Sequence, residues 1–160
     1  MKMPLQTLSA LAILAAIVGG CDKQASAEDP LAVSAAAMGL AFPASATVLG
    51  YRHLKDPANT RYDLFPMPDD AIWLKVEIDR ADLGAFMSGP PLGGVTWRDD
   101  SRFEMAGSTD AAWWNPEAPA AFKAAEVPLP KGQPKGRVLR VLVDNGSSHG
   151  AIVYLHWFEL

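Results

Sequence analysis

The chain has 160 residues, with 14 lysines and arginines against 18 aspartates and glutamates, so its net charge at pH 7 is −4. This length suits one domain that can bury a sizeable core. The mild negative charge argues against a nucleic-acid-binding protein and against electrostatic docking on anionic lipid, both of which need a basic patch. The only cysteine, Cys21, has no partner for a disulfide within the chain.

The N-terminal residues have the order of a bacterial export signal. Lys2 supplies a basic start, and residues 8–18 form a mostly apolar run. This run is too short for a membrane-spanning helix, which needs about 20 residues. The motif Val18-Gly19-Gly20-Cys21 follows at once and resembles the lipobox of bacterial lipoproteins, in which the cysteine is acylated and becomes the new N-terminus. The alternative is an ordinary secretory signal with an unrelated cysteine nearby.

The resemblance implies three segments and a location. Residues 1–20 are expected to be a signal peptide, residues 21–41 a lipidated N-terminus with a flexible tether, and residues 42–160 one domain that faces the periplasm. Palmitate or a related acyl chain on Cys21 would then attach the protein to a membrane, because more than one chain is needed for stable anchoring. Asp22 resembles an inner-membrane retention signal and slightly favours that membrane.

The first elements follow from composition and alternation. Residues 31–40 are predicted to form a short helix that ends near Gly39, or else to continue the tether. Residues 44–54 are predicted to contain a strand, and the two prolines within residues 59–70 indicate a loop or an edge strand. Residues 71–79 alternate regularly between apolar and mixed side chains, which is typical of a half-buried antiparallel strand with Lys75 and Glu77 exposed.

The second half of the chain ends in strands. Residues 80–89 are predicted to form a helix that Asp79 caps, and residues 90–119 are irregular. Residues 120–129, 136–144 and 151–160 are predicted as strands, and the last two are expected to form a C-terminal β-hairpin. The fold class is therefore α+β: an antiparallel sheet of about four or five strands with one or two short helices on one face.

No catalytic, metal-binding or cofactor-binding motif stands in the sequence, so no catalytic residue, metal or cofactor is predicted. The histidines lack the spacing of a metal site, and the neighbouring aspartates are explained by turns and solubility. His156 is expected to be a partly buried, hydrogen-bonded residue of the sheet. The residues weighed for chemistry were His53, His149, His156, Asp69, Asp70, Asp99 and Asp100.

Three tryptophans of the irregular middle are the candidate binding surface: Trp97, Trp113 and Trp114. Adjacent side chains on an extended segment diverge, so one ring of the Trp113-Trp114 pair is expected in the core and the other on the surface. Exposed aromatic side chains often anchor a partner. The alternative is that these rings close the end of a small core.

Residues 44–158 resemble small, mostly uncharacterised bacterial lipoproteins and exported proteins. The resemblance lies in the strand and helix "DDAIWLKVEIDRADLGAFMSG", in "WWNP", and in the terminal segments "VLVDNG" and "AIVYLHWF". It implies an α+β domain and no activity. The leading hypothesis is a non-enzymatic envelope lipoprotein that binds a ligand or a periplasmic protein, with an immunity or inhibitor protein as one form.

The alternative is a small envelope hydrolase that uses histidine and aspartate residues. A cleft that brings His53 or His149 beside an aspartate favours the hydrolase. A broad exposed aromatic patch favours the binding protein.

Overall fold

The computed structural model describes residues 28–55, 70–105, 111–129, 136–146 and 150–159. These residues form α1 (Pro30–Met38), β1 (Thr47–Lys55), β2 (Asp70–Asp79), α2 (Arg80–Ser88), β3 (Phe122–Leu129), β4 (Arg137–Asp144) and β5 (Gly150–Glu159). The strands form one antiparallel sheet in the order β1-β2-β5-β4-β3. The predicted α+β class, with its antiparallel sheet and short helices, is confirmed.

The strands β4 and β5 lie next to each other along most of their length. Arg137 is opposite Glu159 at one end, and Asp144 is opposite Ile152 at the other. Residues 147–149 of the connection lie outside the described residues, and so do Asp69, His149, Cys21 and the lipobox.

Helix α1 belongs to the folded domain. The side chain of Asp29 caps its start by accepting a hydrogen bond from the backbone N–H of Leu31 at 3.0 Å. Gly39 ends the helix with a left-handed φ of 67°, which glycine adopts without strain. Met38 and Leu40 are buried in the core. The folded region therefore includes residues that precede residue 42.

Both helices cover the same face of the sheet, called here the helical face. Strand β2 contributes Ile72, Leu74, Val76 and Ile78 to this face, all fully buried as their alternation predicts. Helix α2 adds Phe86, whose ring stacks on that of Phe42 with centroids 5.8 Å apart. Asp79 holds the predicted N-cap position of α2, but its side chain makes no capping hydrogen bond.

The opposite face, called here the loop face, is also covered. Residues 98–105 and 111–119, the tryptophan loop, contribute the buried side chains of Met105 and Trp114 to this face. Trp73 of β2 is consequently only 6% exposed. The prediction that Lys75 is exposed is wrong, because its ammonium group donates to the carbonyl of Trp113 at 3.1 Å and to Asn115 Oδ1 at 2.8 Å. Burial lowers the pKa of Lys75.

A search of the described residues for a long apolar helix able to span a bilayer found no candidate.

Candidate functional site

The three tryptophans predicted as a binding surface do not lie together. Trp97 packs against the core of the helical face, whereas Trp113 and Trp114 pack on the loop face. The chain passes from one face to the other at the outer edge of β3, where Arg98 and Ala124 exchange backbone hydrogen bonds of 2.8 and 2.7 Å. A shared surface formed by all three rings is therefore not present.

Trp114 is a core residue. It is 5% exposed, and its indole Nε1 donates to the carbonyl of Met105 at 3.0 Å. Its ring meets Tyr154 edge-on, with centroids 5.6 Å apart. Met105 is itself fully buried, so this contact lies inside the core of the loop face.

Trp113 is half-buried and lies on the backbone of β1. A Cβ atom at Gly50 would overlap its ring, so only glycine allows this close approach. The two tryptophan rings do not diverge: they touch edge to face at 5.8 Å. The reason is that residues 112–113 form a turn, in which the alternation of an extended segment does not apply. The pair therefore contributes mainly to packing.

A groove with a volume of about 480 Å³ lies between α1 and the helical face, where β1 and β5 end and β2 and β4 begin. We call it the α1 groove. Three of its charged residues are strand residues two positions from a buried apolar side chain, so alternation places them on the core side of the sheet: Asp70, Arg137 and Glu159. Its lining consists of Glu28, Val33, Ala36, Ala37, Lys55, Asp70, Arg137, Trp157 and Glu159.

Ion pairs surround the α1 groove. Lys55 Nζ lies 3.1 Å from Glu28 Oε2, but both side chains are about three-fifths exposed, so water weakens this pair. A second ion pair, Arg137 Nε with Glu159 Oε1 at 2.7 Å, is less exposed. At the same end of the sheet, His53 Nε2 and Asp70 Oδ1 form a hydrogen bond of 2.8 Å.

Several buried polar atoms at the interface of α1 and the sheet have no hydrogen-bond partner within the described residues. They belong to side chains of α1, β1 and β5: Ser34 Oγ, Tyr51 Oη, His53 Nδ1 and Trp157 Nε1. A buried polar group without a partner costs about 1–3 kcal/mol. Enclosed water is the usual partner of such atoms.

Tyr51 connects this cluster to the charges of the groove. Burial raises the pKa of Tyr51, and the negative charges of Glu28 and Asp70 raise it further. The hydroxyl therefore stays protonated at neutral pH and lies in a negative potential. Tyr51 does not line the groove and its hydroxyl is buried, so the hydroxyl does not contact a molecule in the groove in this arrangement.

The sequence did not single out this groove, because its residues are spread from residue 28 to residue 159. One signal was available. Glu159 lies two residues after Trp157 and four after Leu155, so alternation places its charge on the core side of β5. Arg137 precedes the buried Leu139 in the same way. Charged side chains on the core side of a sheet, at the end of its strands, indicate either an ion pair or a binding site.

Among the described residues that were weighed for chemistry, His53 is the histidine that lies beside an aspartate. Since the carboxylate of Asp70 accepts from Nε2, the nitrogen left to act as a base is Nδ1. Nδ1 is buried, so a substrate in the groove does not reach it in this arrangement. Asp100 pairs with Arg98 on the surface at 2.9 Å, and Asp99 is exposed. The described residues contain no group of three metal-ligand side chains.

His156 lies on the loop face in an aromatic cage. It is 7% exposed, and its ring stacks on that of Trp73 with centroids 5.1 Å apart. The centroid of the Phe158 ring lies 4.9 Å from that of His156. Contrary to the expectation of a hydrogen-bonded residue, neither ring nitrogen has a partner within the described residues. Burial, and then the charge of Arg140, lower the pKa of His156 to about 4.

Stability is therefore expected to fall as the pH falls from about 6.5 to about 4. In this window the unfolded chain binds a proton at residue 156 that the folded chain does not, so acid favours unfolding. One pKa unit corresponds to about 1.4 kcal/mol, so the loss reaches about 3 kcal/mol. Urea unfolding at several pH values checks this, with His156→Phe as the comparison. An equally steep loss in His156→Phe would assign the effect to other groups.

A scan against protein-family models and searches of curated proteins and of solved structures found no match to this chain.

Proposed function

We propose that this chain is a non-enzymatic envelope lipoprotein, attached to a bacterial membrane through acylated Cys21, whose periplasmic domain binds a small polar ligand in the α1 groove. Asp22 slightly favours the inner membrane. The observation that carries the binding function is the groove itself, which is lined by Trp157 and by five charged side chains. A C-terminal hairpin of β4 and β5 belongs to this proposal, and their antiparallel register supports it.

A ligand suits the groove better than a protein partner suits the surface. Most aromatic side chains of the described residues are buried or half-buried, and the large hydrophobic residue that stands out as exposed there is Leu49, at 42%. A docking surface for a protein usually offers a larger apolar patch. An immunity or inhibitor protein fits the proposal only as a protein that holds a polar segment of its target in the groove.

The second candidate is a small envelope hydrolase, and the contact of 2.8 Å between His53 and Asp70 favours it. The burial of His53 Nδ1 disfavours it, because a general base must reach the proton that it removes. Binding is therefore the better supported function.

The Cys21→Ser variant is expected to lose its fatty acid and to leave the membrane fraction. The reason is the position of Cys21 after the apolar run and after Val18-Gly19-Gly20. Fractionation with metabolic labelling by palmitate measures both effects. Equal label and equal membrane retention in the variant and the wild type would contradict the anchor.

At least one small polar molecule is expected to stabilise the protein by filling the groove. A ligand at 100 times its Kd adds about 2.7 kcal/mol, which raises Tm by several degrees. Thermal unfolding with amino acids, short peptides, monosaccharides and nucleosides tests this. Ala36→Trp places a bulky ring at an exposed groove position and should abolish the shift, whereas Ala32→Trp, on the same helix outside the groove, should not. A ligand shift that survives in Ala36→Trp would contradict the groove as the site.

A further inference from the structure

His156 stands in a row of side chains that crosses the loop face from strand to strand. Its neighbour on β2 is Trp73, and its neighbour on β4 is Arg140. Beyond these two, Arg52 of β1 lies opposite Trp73, and Glu126 of β3 lies opposite Arg140. The histidine therefore lies in the middle of the sheet with one arginine on the adjacent strand and another two strands away on the other side.

The sheet presents more positive than negative side chains around His156 on this face. In chain order, its titratable and charged residues there are Arg52, Lys75, Glu126, Arg140, Asp144 and Tyr154. Glu126 Oε2 is paired with Arg140 Nε at 2.8 Å, and the charge of Asp144 acts on Lys75 and on Tyr154. Neither ring nitrogen of His156 contacts a carboxylate of the described residues.

The described part of the tryptophan loop meets His156 with an uncharged ring. This ring is that of Trp114, which lies edge-on to the imidazole with centroids 6.4 Å apart. The acidic side chains in this part of the loop are exposed: Asp99, Asp100, Glu104 and Glu117. The loop therefore excludes water from His156 without a carboxylate that would compensate a positive charge there.

Closure of the loop makes a positive charge on His156 unfavourable, because the buried imidazole loses the water that would solvate the charge. The neighbouring rings offer little compensation, since guanidinium groups already lie against them. Arg52 Cζ is 5.7 Å from the centre of the Trp73 ring, and Arg140 Cζ is 4.9 Å from that of Phe158. The lowering of the pKa of His156 to about 4, by burial and then by Arg140, agrees with this geometry.

Hydrogen bonds within the tryptophan loop join its two described parts. Trp114 Nε1 donates to the carbonyl of Met105 at 3.0 Å. The guanidinium of Arg102 donates to the carbonyl of Pro116 and, at 2.7 Å, to that of Pro119. None of these bonds involves the sheet, so the loop keeps them when it moves away from the sheet, and the ring of Trp114 moves with it.

Two groups of hydrogen bonds join the loop to the sheet. At the outer edge of β3, Arg98 and Ala124 exchange backbone hydrogen bonds of 2.8 and 2.7 Å. Over the middle of the sheet, Asn115 Oδ1 accepts from Lys75 Nζ at 2.8 Å and from Tyr154 Oη at 2.9 Å. The backbone pair suits a hinge, because residue 98 begins the loop. The side-chain bonds of Asn115 form a latch that opening must break.

We propose that protonation of His156 opens the tryptophan loop away from the sheet as one body, so that acid exposes the loop face while the helical face stays folded. Opening gives the imidazolium the water that the closed loop excludes. The strands stay together, because their backbone pairing and the core of the helical face do not depend on the loop. This switch is independent of the α1 groove, which lies on the helical face.

Thiol labelling of Met105→Cys measures the opening, because Met105 is fully buried between the loop and the sheet. The full chain also carries Cys21→Ser, which leaves the introduced thiol as the only one. The probe is 4,4′-dithiodipyridine, which reacts with thiols in acid, and each rate is divided by that of the urea-unfolded chain at the same pH. The normalised rate should rise on the order of a hundredfold from pH 7 to pH 4, since the open form binds a proton that the closed form does not. A rate that does not rise would overturn the switch.

Leu92→Cys is the matched control for unfolding of the whole domain, because Leu92 is fully buried on the helical face. The thiol of Met105→Cys should react at least about tenfold faster than that of Leu92→Cys at each pH, since opening of the loop requires less than complete unfolding. Equal normalised rates for the two thiols would show that the domain unfolds as a whole, and they would overturn the local opening.

Further substitutions in Met105→Cys assign the switch to His156. His156→Phe keeps an aromatic ring among the others but binds no proton, so the rise in rate on acidification should disappear. His53→Gln removes a histidine of the helical face and should leave the full rise. A rise that persists in His156→Phe, or one that disappears in His53→Gln, would overturn the proposal. If His156→Phe does not fold, Arg140→Gln decides: it removes the nearer arginine, so the rise should become at least about threefold smaller, and an unchanged rise would contradict the switch.

Discussion

Trp114→Ala is expected to lower the free energy of unfolding by about 3–5 kcal/mol, the usual cost of removing a large buried aromatic side chain. The variant loses the ring contact with Tyr154 and leaves the carbonyl of Met105 without its indole donor. Urea unfolding followed by far-UV circular dichroism measures the loss, since this signal does not depend on one tryptophan.

Trp113→Ala is the matched comparison for Trp114→Ala. Its ring is half-buried, so we expect a smaller loss, of about 1–2 kcal/mol, from the apolar area that it covers on Gly50. A larger loss in Trp113→Ala than in Trp114→Ala would mean that the roles of the two rings are reversed.

Leu74→Ala is expected to cost about 2–5 kcal/mol, because Leu74 is fully buried at the centre of the helical face and the cavity cannot close completely. Lys123→Ala, an exposed position of β3, should stay within about 0.5 kcal/mol of the wild type. Similar losses in both variants, measured by urea unfolding, would contradict the register of β2.

Lys75→Ala is not a neutral surface change, although alternation suggested that it would be. The variant loses two hydrogen bonds to the tryptophan loop. It also loses the cation–π contact of the Lys75 ammonium, which lies 5.0 Å from the centre of the Tyr154 ring. We expect a loss of about 1 kcal/mol or more.

The strands were predictable because they depend on neighbours in sequence. The alternation in residues 71–79 placed Ile72, Leu74, Val76 and Ile78 on one buried face, as observed. The prediction was wrong about the other face of β2, where the tryptophan loop covers Lys75. Nothing local to Lys75 indicates that a loop some 40 residues away packs over it.

The candidate site was less predictable because its residues are not neighbours in sequence. The groove joins α1 to four strands, and its lining residues are far apart in the chain. His53 and Asp70 were both weighed, but their contact depends on the pairing of β1 with β2 across residues 56–69. The tryptophans attracted attention by composition alone, and composition does not distinguish a ring in the core from a ring on a surface.

With the lipid anchor proposed for Cys21, the docking of α1 limits how far the groove can move from the membrane. Asp29, the N-cap of α1, follows Cys21 by eight residues, and eight extended residues span at most roughly 28 Å. A tether that ran to Phe42 would have reached roughly 70 Å. With the anchor proposed for Cys21, the groove therefore meets molecules close to the bilayer surface, and a binding partner deep in the periplasm would have to come to it.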